Sequence, residues 1–306
     1  MSVGIGYGKV ILFGEHFVVQ GNPGIVAGIN DRTIATVESS KKFELVDNRP
    51  EIPGYKQEKL GQQKESMKLI FSKMNIDPEK NPVKIVLWGN LLAASGVGAS
   101  AASCAAIARA LAEHFGQENS DERINEIAFE GEKAYHGNPS GIDNTAATYG
   151  GILWFIRGPP IKFERIGVKK PVEIVLGNTG IIGDSKKAIL GVVERSKNNP
   201  EKYGPIFEEA KEIAVKARKA LEEGKVKEIG YLANRNHELL QQVEVSCKEL
   251  DELVEFALQN GASGAKMTGS GLGGYMFAVT PGKELQERVA TAMQEKGYQT
   301  IKTGVG

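Results

Sequence analysis

The segment Gly96-Val97-Gly98-Ala99-Ser100-Ala101-Ala102 constrains this chain more than any other. It follows an apolar stretch, Val83 to Leu92, and runs into Ser103-Cys104-Ala105-Ala106-Ile107-Ala108-Arg109-Ala110-Leu111. That order reads as strand, small-residue turn, helix. Glycines let a backbone curl so that several N–H groups converge on one spot. A helix opening there adds its unpaired N–H groups and the positive end of its dipole. The product is an anion site of the kind that takes phosphate. Ser100 stands where a hydroxyl reaches a phosphate or its magnesium. A tight turn that merely starts a helix would use the same residues, so the rest of the chain has to decide.

Charge and composition remove several classes. Lys plus Arg equals Asp plus Glu at 38 each, which leaves no net field for nucleic acid or an anionic membrane. The start, MSVGIGYGKVILFGEH, lacks the basic region, apolar run and cleavage site of a signal peptide. No apolar run approaches the length of a membrane span. Cys104 and Cys247 stand far apart in apolar contexts and read as thiols in a reducing compartment. The expected location is the cytoplasm. With 306 residues, the length favours two domains or one large one.

Along the chain, residues 3–13 read as a strand, Gly21-Asn22-Pro23-Gly24 as a turn, Ile25–Ile29 as a strand, and Arg32–Glu38 as more β structure. Residues 48–54 read as irregular. A helix is expected over 56–73, with Leu60, Met67, Ile70, Phe71 and Met74 on one face. A strand at 83–88 leads into the Gly-rich turn and a helix to about Phe115. Asp121 is the expected N-cap of a helix to about Tyr135. Residues 136–144 are rich in turn formers, and Gly151–Ile156 reads as β. Gly158-Pro159-Pro160 is a breaker, which places a boundary near 168 and gives domains 1–168 and 169–306. The second half reads as a strand at 172–176, helices near 184–196, 202–222, 226–241 and 248–258, strands at 264–268 and 275–279, a helix at 282–295 and a strand at 298–302. Such irregular alternation favours α+β over a doubly wound sheet.

Three further stretches carry chemistry. In Gly8-Lys9-Val10-Ile11-Leu12-Phe13-Gly14-Glu15-His16, a lysine opens an apolar run that ends in an acid–imidazole pair, a set able to bind a carboxylate or a hydroxyl. In the stretch from Glu132 to His136-Gly137-Asn138-Pro139-Ser140-Gly141-Ile142-Asp143-Asn144, Glu132 could hold Mg²⁺ beside Ser100, and Asp143 could take a hydroxyl proton. Gly269-Ser270-Gly271-Leu272-Gly273-Gly274 fits GxGxxG. A dinucleotide fold would need that motif to open a helix early in a βαβ unit. Here β-like segments flank it, and a loop pressed against another loop or a ligand is the better account. The remaining histidines, His114, His136 and His237, read as structural, and no His/Cys set has metal-ligand spacing.

Taken together and in this order, GKVILFGEHFVVQG, SGVGASAA, HGNPSGIDNTAATYGG and KMTGSGLGG resemble the GHMP kinase superfamily, and within it the mevalonate kinases, over essentially the whole chain. The resemblance implies a two-domain α+β GHMP kinase fold with the active site in an inter-domain cleft. It implies ATP-dependent phosphorylation of the 5-hydroxyl of mevalonate, a step in isoprenoid precursor synthesis. ATP phosphates would lie on Ser95, Gly96, Val97, Gly98, Ala99, Ser100 and Ala101, with Gly269, Ser270 and Gly271 closing over them. Ser100 and Glu132 would match the magnesium ligands, Asp143 the general base and Lys9 its neighbouring cation. Glu15 and His16 would fall in the mevalonate pocket, and Ser185 near a hydroxyl position of the family. The family more often has serine where Ala99 stands, Ala-Pro-Gly-Lys where Gly6-Tyr7-Gly8-Lys9 stands, and a glycine where Leu272 stands. These departures put nucleotide preference in question.

The expected partners are therefore mevalonate and ATP with Mg²⁺, no nucleic acid and no membrane, with a homodimer among the assemblies open to the chain. The rivals are another GHMP kinase acting on phosphomevalonate, a sugar or an amino-alcohol, a non-catalytic relative, and a dinucleotide oxidoreductase. A phosphorylated acceptor would call for extra Arg or Lys beside Lys9, and the N-terminal motif offers none.

Overall fold

The computed structural model describes residues 1–94, 96–158, 162–183 and 185–306. The chain divides into two compact units, Met1–Lys9 with Gly28–Gly150, and Val10–Ala27 with Gly151–Gly306. The division passes through the first two strands, so each supplies residues to both units.

The first unit takes residues from β1 (Ser2–Phe13) and β2 (Gly24–Ser39), and contains β3 (Glu44–Asp47), α1 (Tyr55–Lys73), β4 (Val83–Gly89), α2 (Ala99–His114), α3 (Asp121–His136) and α4 (Ile142–Tyr149). β4 pairs antiparallel with the later part of β2, Thr33 to Ser39, and parallel with β3. α2 and α3 pack on each other and on α4, and α1 packs on α3. All but four of the sixteen residues of α2 are buried. A helix enclosed on nearly every side needs small side chains all round, which is what its alanines supply. The approach to β1 is closest at two glycines. A Cβ at Gly4 would stand 2.1 Å from the Ala106 carbonyl oxygen, and one at Gly6 would stand 2.0 Å from that of Ala102. The Gly-x-Gly spacing of β1 therefore lets a helix lie directly on a strand.

Two local expectations change here. The cap of α3 is Ser120, whose hydroxyl accepts from the Arg123 N–H at 3.3 Å, and Asp121 is the first helical residue. Residues 142–149 form α4, two turns bounded by Gly141 and Gly150.

The second unit contains β5 (Ile152–Ile156), β6 (Lys162–Ile166), β7 (Val172–Asn178), α5 (Ser185–Asn198), α6 (Pro200–Glu223), α7 (Val226–Gln242), α8 (Lys248–Gln259), β8 (Gly264–Met267), β9 (Tyr275–Val279), α9 (Lys283–Glu295) and β10 (Gln299–Val305). β5 pairs antiparallel with Gly24–Ala27 and with β6. The segments on either side of Gly158 thus belong to one hairpin, and the change of unit falls at Gly150/Gly151, ahead of residue 168. Strands β10, β7, β9 and β8 follow one another in an antiparallel array. Because β8 and β9 are antiparallel neighbours, the Gly-rich loop 268–274 is a hairpin connection and does not open a helix. That arrangement removes the dinucleotide reading. Among the described residues no helix is long and apolar enough to cross a membrane.

Candidate active site

In the first unit, β1 ends beside the start of α2. The Lys9 N–H donates to the Val97 carbonyl at 2.9 Å, a backbone clip between the strand and the Gly-rich turn. Gly98 caps α2 with φ of +71°, and a Cβ there would stand 2.7 Å from Lys9 Cγ. Both the left-handed backbone and the missing space require glycine at this position. No side chain caps the N-terminus of α2. The Ala99 carbonyl is held from behind, by the Ser103 hydroxyl at 2.8 Å and by the buried Arg49 guanidinium at 3.1 Å. Arg49 is itself fixed by Asp47, with Nη2 2.6 Å from Oδ2. The turn is thus pinned, and the N–H groups at the start of α2 carry no side-chain partner of their own.

Lys9 Nζ lies 3.0 Å from Asp143 Oδ1, in the first turn of α4. The lysine side chain is 7% exposed and the aspartate 29%. Burial pushes the Asp143 pKa up, but the charge and hydrogen bond of Lys9 outweigh it and hold the carboxyl below its ordinary value. Glu132, on α3, has the opposite fate. Its side chain is 1% exposed, and burial together with the negative charge of Asp143 raises its pKa to about 8, against smaller pulls from Ser100 and Lys9. Among the described residues neither Glu132 oxygen accepts a well-formed hydrogen bond, and His136 Nε2 stands 3.5 Å from Oε2. Ligand atoms of Glu132, His136 and Asp143 all lie within 4.8 Å of one another. A buried carboxylate without a donor beside a second carboxylate suits a hard cation with oxygen ligands.

In the second unit, the turn after β1 carries the other predicted pair. His16 adopts φ of +62°, a strained setting for a non-glycine residue. Its Nε2 stands 2.8 Å from the Ser270 carbonyl oxygen. A carbonyl only accepts, so Nε2 carries the proton, and the buried Nδ1 is a lone-pair acceptor without a hydrogen-bond partner among the described residues. Burial, more than any other cause, lowers the His16 pKa to about 4, so the ring is neutral. Glu15 Oε1 lies 2.5 Å from Lys266 Nζ of β8, with both side chains fully buried. The Thr268 hydroxyl accepts from the Ile11 N–H at 3.0 Å and donates to the Ile11 carbonyl at 2.9 Å. In the Gly-rich loop, Gly269 and Gly271 have φ of +87° and +76°, and Leu272 takes φ of +55° where a glycine would sit without strain.

Of the predicted residues, Gly96, Val97, Gly98, Ala99, Ser100 and Ala101 form the turn and the first residues of α2 as expected in position, while Ser95 lies outside the described residues. Ser185 opens α5, and its side chain is not among those described. His114 Nε2 is 3.4 Å from the Ser39 hydroxyl, and His237 Nε2 is 3.1 Å from Asp251 Oδ1. Arg49 and Lys266 are site-bordering cations to which the sequence assigned no role. Arg49 hides in a segment that reads as irregular. Lys266 is a lone lysine in a strand, and only the unbroken apolar character of its surroundings hints at burial.

The first unit thus sets the N-terminal turn of a helix beside a lysine–aspartate pair and a buried glutamate, and comparison with known proteins identifies the family. Residues 63–151 match the GHMP kinases N terminal domain, and 217–299 match the GHMP kinases C terminal domain. The mevalonate kinase of Pyrococcus furiosus is 34% identical over 94% of this chain and 91% of its own length. The chain belongs to the mevalonate kinase family of GHMP kinases. The Pyrococcus horikoshii mevalonate kinase is likewise 34% identical over 94% of the chain and 91% of its own. The crystal structure of L. major mevalonate kinase in complex with R-mevalonate superposes with a TM-score of 0.96 at 35% identity, covering 100% of this chain and 96% of that one. Membership makes the chain a kinase whose phosphoryl donor is ATP. A Streptococcus pneumoniae phosphomevalonate kinase, 13% identical with a TM-score of 0.74 over 98% of both chains, shares the fold alone.

Proposed function

We propose that this kinase transfers the γ-phosphoryl group of ATP to the 5-hydroxyl of mevalonate, giving 5-phosphomevalonate and ADP. The observation that carries the reading is the Lys9–Asp143 ion pair at 3.0 Å, set beside buried Glu132 and clipped by the Lys9 backbone to the turn that starts α2. Mevalonate kinases at 34% identity over nearly the full length, one solved relative holding R-mevalonate, support the choice of acceptor.

Residues 96–101 present backbone N–H groups and a helix dipole to the phosphates of ATP, and Gly269–Gly271 of the second unit are a further candidate segment for nucleotide contact. Ser100 and Glu132 fit a magnesium ion, because both offer hard oxygen donors and Glu132 has no other donor to satisfy it. Held by Ser100 and Glu132, Mg²⁺ would supply positive charge against the phosphates and the charge that develops during transfer.

Asp143 then accepts a hydrogen bond from the acceptor hydroxyl. Lys9 keeps it ionised, so it is always ready to accept, but also makes it a weak base toward an alcohol. In a loose transition state the attacking hydroxyl becomes acidic only as the new P–O bond forms. Asp143 therefore orients the nucleophile first and takes its proton late. The Lys9 ammonium balances the aspartate and faces the transferring charge. Glu15 and His16 are assigned to the acceptor, where the unprotonated Nδ1 of His16 suits a hydroxyl donor.

The test is ADP release with mevalonate, phosphomevalonate, galactose and homoserine offered in turn. The reading expects kcat/KM for mevalonate at least about a hundredfold above the others, a difference of roughly 2.7 kcal/mol in transition-state binding. A preference for any other alcohol, or ADP release with none, contradicts it.

A further inference from the structure

Lys266 has no part in the scheme above, yet with Glu15 it forms the most deeply enclosed ion pair described. Stability alone does not explain it. Burying two charges costs about as much as their attraction returns, and apolar replacements of similar volume are often neutral or better. The ammonium nevertheless has three partners, Glu15 Oε1 at 2.5 Å, the Met267 carbonyl at 2.7 Å and the Phe277 ring with its centroid at 5.3 Å.

What these contacts hold is the turn Gly14–His16. Gly14 takes φ of +100°, which glycine adopts freely, but His16 has φ of +62°, a conformation its own backbone resists and its surroundings impose. The restraint comes from one stretch of chain. Lys266 holds Glu15, Thr268 holds both backbone groups of Ile11, and the Ser270 carbonyl holds His16. The three anchors stand two residues apart, and the stretch runs from β8 straight into the Gly-rich loop.

We propose that Lys266 is a positioning residue for the acceptor alcohol, holding the Glu15 carboxylate in place and thereby setting the pose of the Gly14–His16 turn. The inference rests on the assignment of Glu15 and His16 to the acceptor. Without the ammonium, Glu15 loses the contact that ties it to β8, and the turn loses that anchor. Lys9 and Asp143 belong to the first unit and keep their own pairing. The loss should therefore fall on acceptor binding more than on transfer.

A double-mutant cycle on the full chain tests this. In the Glu15 background, Lys266→Met should raise the KM of the acceptor at least about tenfold, with kcat and the KM for ATP within about threefold. In the Glu15→Gln background the same change should leave acceptor KM within about twofold, because the group it acts through is gone. Thermal melts of all four proteins establish that each variant is folded. If Lys266→Met is too unstable to assay, Lys266→Gln, which keeps a donor, is judged by the same criteria. A folded Lys266 variant with wild-type acceptor KM overturns the proposal. So does an effect of equal size in both backgrounds, or one confined to kcat. Wild-type turnover of mevalonate tests the proposed function separately, and the cycle is run with whichever alcohol the wild-type enzyme phosphorylates.

Discussion

Each unit holds one notable lysine–carboxylate pair, and the two differ in one respect that decides what each can do. Lys9–Asp143 is closed on the lysine side but leaves the aspartate 29% exposed. Lys266–Glu15 admits no solvent on either side. The same two functional groups thus occupy opposite environments. An ion pair with one open face can exchange its hydrogen bond for one to an incoming hydroxyl and can accept a proton. A sealed pair cannot exchange anything without unfolding its surroundings, and its charges act through what they hold still. Exposure, more than pKa or distance, separates the chemical pair from the positioning pair.

The comparison is broken most easily at Asp143. Asp143→Asn keeps the shape and removes the charge, and kcat should fall by at least about two orders of magnitude, the lower range for acid–base assistance. Steady-state turnover with saturating ATP and mevalonate checks it, and a rate within tenfold of wild type would remove Asp143 from the chemistry. A smaller effect is expected at the backbone clip. Gly98→Ala places a Cβ 2.7 Å from Lys9 Cγ on a backbone with φ of +71°. Both the turn and Lys9 must shift, so kcat/KM for ATP should drop on the order of tenfold, with a stability loss of about 1 kcal/mol or more in a thermal melt. Glu132→Gln keeps the volume and removes the anionic oxygen. The Mg²⁺ concentration for half-maximal rate should rise several-fold, and an unchanged titration would contradict the metal assignment.

The smallest effect sharpens the contrast from the sealed side. His16 and His237, both in the second unit, have pKa values near 4 in the fold against 6.5 when unfolded. The unfolded chain therefore binds more protons between these values, so stability is complete above about pH 6.5 and declines as the pH falls toward 4. Each histidine contributes on the order of 3 kcal/mol at most to that decline. Glu132, whose raised pKa stabilises the fold as the pH falls from 8 to 4.5, works in the opposite direction, so the histidine effect is read as a difference: between pH 7 and 4.5 the melting temperature of wild type should lose more than that of His237→Gln. Equal losses would mean that the His237 ring takes up its proton as readily in the fold as in the unfolded chain.

Much of this was legible in the sequence, for reasons that are themselves physical. The Gly-rich turn before α2 is written in residues that few other structures need, and the hairpin around Gly269–Gly274 follows from β-like flanks. β2 was harder. It reads as two pieces, Ile25–Ile29 and Arg32–Glu38, but one strand runs through both, because β5 binds one end and β4 the other, and such pairing overrides propensity. α4 was hidden because eight residues carry too little periodicity to announce a helix; packing against α2 and α3 fixes it. That helix places Asp143. Lys266 was invisible as a buried cation because its partner lies 251 residues away, and a lysine in a strand otherwise reads as facing solvent. Arg49 was missed for the same reason, since the carbonyl it holds belongs to another segment. Residues acting through their own neighbours could be read; those acting through distant ones could not.

The division of labour between the two pairs is tested most directly by measuring kcat and the acceptor KM of Asp143→Asn and Lys266→Met side by side under one set of conditions. The account predicts that the first loses turnover with acceptor KM changed by less than about tenfold, and that the second loses acceptor affinity with turnover nearly intact. The reverse pattern, or the same pattern in both variants, would contradict it.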